Sequence, residues 1–254
     1  MPNKNDRLIL VTNDDGIHAR GLQALARQLK RLGEVLVVAP DREQSASSHS
    51  LTLTRPLRIT KVDDSRFAVD GTPTDSVMVA MHGLLKGRMP DILISGINHG
   101  PNMGDDVTYS GTVAAAIEGS LLGIPSIAAS LTDWDAEEFK PAARAVSKVA
   151  RWVLKNGLPQ FSFLNVNIPF LGDEPFKGVK ITRLGRRTYN DVIVEKTDPR
   201  GKNYYWIAGE PEWMDVDGSD FSAVSRGMVS VSPLKVDMTD TRLHEKLRDI
   251  NIKL

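Results

Sequence analysis

The 254-residue chain contains no cysteine, which excludes disulfide bonds and thiolate metal sites. It has no excess charge of either sign, because 32 Lys and Arg balance 32 Asp and Glu. A groove that neutralises many phosphates needs a basic surplus, so nucleic acid is not expected as a partner. Long apolar runs are missing as well. The first, Leu8 to Val11, is too short for the core of a secretion signal, and Met1 to Asp6 before it is polar. No stretch approaches the ~20 apolar residues that span a bilayer. A cytoplasmic protein without membrane contact is expected. What remains is ordinary for a globular chain: 41% hydrophobic and 25% charged residues are enough apolar surface to bury and too little charge for disorder.

The first half alternates short β-branched runs with longer amphipathic ones, the pattern of βαβ units and a mostly parallel sheet. Strands are expected at Arg7 to Thr12, Glu34 to Ala39, Asp91 to Ser95, Ser126 to Leu131 and Phe161 to Ile168. Helices are expected from the spacing of Leu22, Leu25, Ala26 and Leu29, with Gly33 as the stop, and then up to Leu85, over Thr112 to Leu122 and over Ala136 to Leu154. The second of these opens at Thr72-Pro73-Thr74-Asp75, a cap residue, a proline and an acid at capping-box spacing. Leu51 to Val62 and Arg66 to Val69 read as a hairpin arm that interrupts the alternation. After Pro169 the runs are short and extended, at Lys180 to Leu184, Tyr204 to Ile207 and Met228 to Val231, with no helix until Thr239 to Asp249. The chain therefore divides into a catalytic α/β domain, 1–169, and a β-rich extension with a C-terminal helix, 170–254. Hairpins that cannot bury both faces often pack on a partner subunit, so the extension is expected to form a homo-oligomer.

Three loops fall where an open α/β sheet places its ligand, beyond the carboxyl ends of the strands. Strand one ends at Asn13-Asp14-Asp15-Gly16. Two adjacent carboxylates face one point only where the chain turns, and unpaired they repel each other, a conflict that a divalent cation removes. The same four residues also suit a solvated turn at a helix start. The second loop, Ala39 to Ser50, carries Ser45 and three further serines, hydroxyls that ligate hard cations or bind phosphate, although its composition also suits a surface loop in which Asp41 and Arg42 pair. The third runs from Ser95 to Thr112 and enters a helix through Ser110-Gly111-Thr112, whose free amides and positive dipole end suit a phosphate. Ser110 as a plain helix cap is compatible with that role. Neither a Walker loop nor a Gly-x-Gly-x-x-Gly fingerprint is present, which removes the triphosphatase and dinucleotide-dehydrogenase readings.

In order along the chain, Asn13-Asp14-Asp15-Gly16, Ala39-Pro40-Asp41-Arg42 with Ser45, Gly71-Thr72-Pro73-Thr74-Asp75, Ser95-Gly96-Ile97-Asn98 with Gly100 and Asn102, and Gly104-Asp105-Asp106-Val107 through Tyr109 to Thr112 resemble the SurE family of survival-protein phosphatases. The likeness continues into Asp198-Pro199-Arg200-Gly201 and Thr239. It departs at Arg20, where that family often has proline, which bears on how the first helix starts. The resemblance implies a Rossmann-like α/β fold with a β-rich C-terminal part that forms a dimer or tetramer. It also implies hydrolysis of nucleoside 5′-monophosphates, with side activity on 3′-nucleotides or polyphosphate. The implied metal ligands are Asp14, Asp15, Ser45 and Asn98, and the implied phosphate-side residues are Asn102, Ser110, Gly111 and Thr112. An all-oxygen ligand set favours one Mg²⁺ or Mn²⁺, or Ca²⁺, per subunit. Such an ion would polarise the phosphoryl group and acidify an attacking water, with Asp14 and Asp15 as the catalytic residues and Asp14 orienting the nucleophile.

Three other functions compete. A Mg²⁺-binding phospho-receiver also has an acidic pair after strand one, but it needs another acceptor Asp and a later Lys in about half this length. A phosphatase with a nucleophilic Asp needs Asp-x-Asp, whereas the pair here is adjacent. A nucleotide-binding protein without turnover is the third. His18 and His49 lie near the turn in sequence and could protonate a leaving group, but surface or packing roles are the simpler reading for them. His99 adjoins Asn98 with no assigned direction, and His82 and His244 have no stronger claim. Trp134, Trp152, Trp206 and Trp213 are read as core or interface residues.

Overall fold

In a computed structural model, residues 6–189, 192–208, 211–248 and 250 are described. The centre is β1 (Leu8–Thr12), whose five residues are all buried, as a strand covered on both faces must be. It pairs in parallel with β2 (Glu34–Pro40) on one side and β5 (Ile92–His99) on the other. Beyond β2 lie β4 (Arg66–Val69) and β3 (Ile59–Asp63); beyond β5 lie β6 (Ser126–Leu131) and β7 (Ser162–Ile168). The chain therefore leaves β1 first to one side and later to the other, and the order reverses between β1 and β5. That switch point is where doubly wound sheets bind ligands.

The helices cover both faces. On one, α1 (Arg20–Leu29) and α4 (Lys140–Asn156) share a core with Ile9, Val11, Ile94 and Val166. On the other, α2 (Pro73–Val79) and α3 (Gly111–Leu121) lie against Leu10, Val38 and Leu93. The capping box of α2 forms as its sequence indicates: Thr72 Oγ1 accepts from the Asp75 amide at 3.1 Å and Asp75 Oδ2 accepts from the Thr72 amide at 2.9 Å. A π-helical turn, Ala80–Leu84, continues α2 toward Leu85. No helix among the described residues is long and apolar enough to cross a membrane.

The fold is α/β with a mostly parallel mixed sheet, as the alternation implies, and several local expectations need correction. The hairpin at 59–69 is the edge of the main sheet, because β4 pairs in parallel with β2. Residues 51–58 form no strand, and Pro56 among them has no amide to donate. Gly33 is no helix stop: α1 ends at Lys30, and a Cβ on Gly33 would lie 2.7 Å from the Arg7 carbonyl oxygen. Helix α4 begins at Lys140, later than Ala136, because Pro141 is tolerated only in a first turn. Despite Arg20, α1 starts at that residue, after Ala19 and without a side-chain cap.

The C-terminal part is split between the main sheet and separate ribbons. Strand β13 (Val229–Lys235) adds to the sheet antiparallel to β7 and carries β8 (Val179–Ile181) on its outer side. Outside the sheet, β9 (Arg187–Tyr189) pairs with β12 (Pro211–Trp213), and β10 (Val192–Thr197) forms a hairpin with β11 (Asn203–Ala208). A helix not foreseen, α5 (Asp220–Ser225), precedes β13, and the last helix is α6 (Thr241–Leu247), with Asp249 outside the described residues.

Asp220 ties these parts together. Its side chain is wholly buried; Oδ2 accepts from the Gly104 amide at 2.8 Å, and Oδ1 accepts from the amides of Gly185 at 2.8 Å and Phe221 at 2.9 Å. Removing the carboxylate strands two buried donors and one part-buried donor at once. Asp220→Ala is expected to lower the unfolding free energy by at least about 3 kcal/mol. Urea denaturation checks this, and a midpoint within error of the parent chain's would refute it.

Candidate active site

A cavity of about 790 Å³ opens at the switch point. Six of the residues singled out from sequence line it: Asp14, Asp15, Ser45, Asn98, Asn102 and Ser110. The other two, Gly111 and Thr112, stand just behind Asp14 in the first turn of α3. Three loops separate in sequence are thus brought to one place by the parallel pairing of β1 with β5 and of β1 with β2.

Asp14 is 4% exposed. Its Oδ2 accepts from the Thr112 amide at 3.0 Å, and its Oδ1 accepts from the Thr112 hydroxyl. The helix end comes this close because residue 111 is glycine: a Cβ there would sit 2.9 Å from Asp14 Cβ and 2.7 Å from Ser47 Oγ. Gly16 turns the chain away with φ +96, and Asn13 braces the turn by donating to the Gly16 carbonyl at 3.0 Å. Asp15 faces the cavity, and its Oδ2 accepts from the His99 amide at 3.2 Å.

The remaining groups are set by their own partners. Asn98 donates through Nδ2 to the Gly100 carbonyl at 2.9 Å, which fixes the amide and leaves Oδ1 as its acceptor. The Gln44 amide donates to the Asp14 carbonyl at 2.7 Å and brings the serine loop to the site. There Ser45 is exposed and donates to Glu43 Oε1 at 2.7 Å. Asp41 and Arg42 pair with each other at 3.0 Å. Asn102 is held from every side: its amide donates to Asn167 Oδ1, its Nδ2 donates to Ser130 Oγ, and its carbonyl accepts from Asn165 and Asn167. Ser110 caps α3, with Oγ accepting from the Val113 amide at 3.1 Å.

Several contributors had no distinct signal in the sequence. Glu43 is a third carboxylate on the cavity wall. Ser47 Oγ is buried without a partner beside the start of α3. Of the five histidines, only His99 lines the cavity; His49 instead meets Glu118 at 2.8 Å, and His18, His82 and His244 are exposed. Trp134 is not a core residue: it is 67% exposed on the cavity wall. Trp152 and Trp206 are also exposed, while Trp213 stacks on Phe221 at 5.4 Å between ring centroids.

The electrostatics of the pair are one-sided. Burial raises the Asp14 carboxyl above its ordinary value, against the lowering effect of the Thr112 hydrogen bonds, with Glu43 adding to the rise. Burial first, and the charge of Asp14 second, push Asp15 from 3.8 to about 7. The charges that act on the two groups, that of Glu43 on both and that of Asp14 on Asp15, are all negative. No group of three or more His, Cys, Asp and Glu side chains with metal-holding geometry occurs among the described residues. The oxygens at hand are two carboxylates, the Asn98 amide and the Ser45 hydroxyl, a hard-donor set that fits a Mg²⁺-type cation and not a thiolate or imidazole site.

Comparison with known proteins gives a consistent answer. The family model described as Survival protein SurE matches residues 9–191. A protein named 5′-nucleotidase SurE from Pelobacter propionicus is 55% identical over 234 residues, covering 91% of this chain and 94% of its own. The protein of the same name from Geobacter sulfurreducens is also 55% identical, covering 91% of this chain and 89% of its own. The crystal structure of the SurE protein from Aquifex aeolicus superposes with a TM-score of 0.86 at 45% identity, covering 95% of this chain and 98% of that one.

The raised Asp15 carboxyl has a consequence for stability. Between pH 4 and 7 the folded, metal-free chain holds a proton on Asp15 that the unfolded chain has lost, so the contribution of this group to stability is fully present below about pH 4 and is lost as pH rises to about 7. The slope from one such proton is at most about 1.4 kcal/mol per pH unit. Melting of EDTA-treated protein is expected to show this fall, Asp15→Asn to flatten it, and Mg²⁺ or Mn²⁺ at pH 7.5 to raise the melting temperature. A metal-free protein whose stability rises from pH 5 to 7 with Asp15 intact would contradict it.

Proposed function

The chain belongs to the SurE family, and on that premise we propose that it is a metal-dependent 5′-nucleotidase, hydrolysing nucleoside 5′-monophosphates to nucleoside and phosphate. The observation that carries the reading is the Asp14–Asp15 pair, Asp14 buried and Asp15 half-buried, both carboxyls raised by burial and neighbouring negative charge, opening on a cavity at the switch point. The names of the relatives support it. Asp14, Asp15, Ser45 and Asn98 would hold one divalent ion, Mg²⁺ or Mn²⁺ with Ca²⁺ as a third fit. Bound there, it supplies Lewis-acid polarisation of the phosphoryl group and a more acidic water.

The chain's own residues do the positioning. Thr112 keeps the Asp14 carboxylate in one orientation, so the remaining lone pairs of that group have fixed directions, and Asp14 is the residue assigned to orient the attacking water. The His99 amide does the same for Asp15. At the helix end, the Thr112 amide goes to Asp14 and the Val113 amide to Ser110, which leaves the Gly111 amide to meet a phosphate oxygen. Asn102 has one amide hydrogen on Ser130 and a second to offer. Donors placed in advance at a water-poor wall stabilise charge developing on the phosphoryl oxygens without reorganising.

The phosphoryl group is what these residues hold, so 3′-nucleotides and polyphosphate are proposed as side substrates. A cytoplasmic homodimer or homotetramer is part of the same reading. It is supported by the exposure of Ile193, Tyr205, Trp206 and Ile207 on the β10–β11 hairpin. The division into a catalytic domain, 1–169, and an extension, 170–254, stands with it as a proposal.

Phosphate release from nucleoside monophosphates with Mg²⁺ or Mn²⁺ is the direct test. Asp14→Asn is expected to lower kcat by three orders of magnitude or more, on the order of removing a principal transition-state contact, with an unchanged circular dichroism spectrum. EDTA should abolish release reversibly. Full turnover by either preparation would overturn the mechanism. Light scattering at micromolar concentration is expected to give at least twice the 27.9 kDa chain mass, and a monomeric mass would remove the oligomer from the proposal.

A further inference from the structure

The cavity that holds the acidic pair also reaches the segment between β6 and α4, where Trp134 forms part of its wall. An indole is a large apolar surface, and leaving it 67% exposed gives up the gain of burying it. Its position is nevertheless built. A Cβ on Gly100 would lie 2.3–2.4 Å from Cη2, Cζ2 and Cζ3 of the ring, so the indole rests on the bare backbone of residue 100. The His99 ring lies beside it at 6.4 Å between centroids and 41° between planes, and Phe139 meets His99 edge-on at 5.6 Å and 72°. A ring seated in this way on the loop that carries Asn98, yet open to the cavity, is placed to receive a flat partner.

We propose that Trp134 is the stacking platform for the nucleobase of the substrate. The inference rests on the 5′-nucleotidase reading and adds a base-binding residue to it. A nucleoside 5′-monophosphate has a charged end and a flat apolar end separated by a ribose, and the cavity has the same polarity. Its charged end is Asp14, Asp15 and the start of α3; its aromatic end is Trp134 on Gly100. The polar residues that line the cavity on the side of the platform, Arg20, Asp135 and Glu137, are all exposed, with Arg20 and Glu137 3.9 Å apart at the ends of long side chains, so they form no rigid pattern of base-edge donors and acceptors. Stacking accepts any base and grows with ring area. The platform therefore predicts broad base tolerance, with purine nucleotides held more tightly than pyrimidine nucleotides.

Tyr109 is the other exposed aromatic on the cavity wall, at 62%. It directly precedes Ser110 at the phosphate end, so the geometry assigns the base to Trp134 instead.

The test compares AMP with ribose 5-phosphate, which carries the same phosphate without a base. Trp134→Ala is expected to raise KM for AMP about tenfold relative to KM for ribose 5-phosphate, the effect of losing one base–aromatic stack. Trp134→Phe should recover part of the loss, and AMP should quench tryptophan fluorescence in the parent chain more than in Trp134→Ala. The proposal fails if the KM ratio is unchanged in Trp134→Ala, if both substrates lose kcat and KM in parallel, or if Tyr109→Ala alters the ratio and Trp134→Ala does not. Absence of phosphate release from AMP by the parent enzyme, with either metal, would instead overturn the nucleotidase reading and take the platform with it.

Discussion

The carboxylate of Asp14 is bound twice by Thr112, through an amide and a hydroxyl, across 98 positions of sequence. This contact joins the end of β1 to the start of α3, and the rest of the site follows from it. Gly111 has no side chain because the helix must come within van der Waals distance of Asp14. The serine loop reaches the cavity because Gln44 donates to the Asp14 carbonyl. The contact has an electrostatic cost as well as a structural benefit. Two hydrogen bonds favour the charged form of Asp14, yet burial outweighs them and the carboxyl is still raised. The helix end alone does not balance the charge of Asp14, and beside it Asp15 and Glu43 add more of the same sign. A site with this arrangement would gain from a divalent cation, so the proposed metal affinity and the cost of burying Asp14 would have one source.

A second set of contacts supports the far wall of the cavity. The 3₁₀ turn Gly104–Thr108 leads into Tyr109 and Ser110, and the C-terminal part of the chain grips it. Asp220 takes the Gly104 amide, Arg187 pairs with Asp106, and a Cβ on Gly104 would lie 3.2 Å from the Trp213 ring, over which Arg187 stacks at 5.3 Å. The residues after 170 therefore position the turn that enters α3, besides presenting the exposed hairpin. Disturbing the extension would be felt at the end of the site proposed to meet phosphate.

Much of this was legible in the sequence where the signal is local. Strand β6 occupies the span expected from its apolar run after Pro125, and α2 starts where its capping-box spacing places it, because both depend on neighbours within a few residues. The acidic turn was legible because a ligand position follows from a strand end once the sheet is parallel. What was not legible depends on distant partners. Strand β5 runs on past Ser95 to His99, its register with β6 shifting between Ser95 and Asn98, which no run of apolar residues announces. Strand β13 is assigned to the main sheet by pairing with β7, and α5 is held by a carboxylate whose acceptor role spans 116 residues. Trp134 is not legible for a related reason: of the core and interface roles its type suggests, its exposure excludes the core, and the nearby backbone of Gly100 shows where its ring rests on the cavity wall.

Several residues of the site have an ordinary structural role, which is compatible with the role proposed for them. Ser110 caps α3 and also lines the cavity, so the cap does not compete with a phosphate role; it removes one donor, the Val113 amide, from the set a phosphate could use. Thr112 removes another by serving Asp14. Of the first three amides of α3, one is left, and it belongs to the residue that must be glycine for the helix to approach at all. On the proposed reading, the helix end divides its donors between stabilising a buried carboxylate and receiving an anion. The division is made by residues 110, 111 and 112 in succession, so a substitution at any one of them would shift the balance between holding Asp14 and the proposed phosphate role.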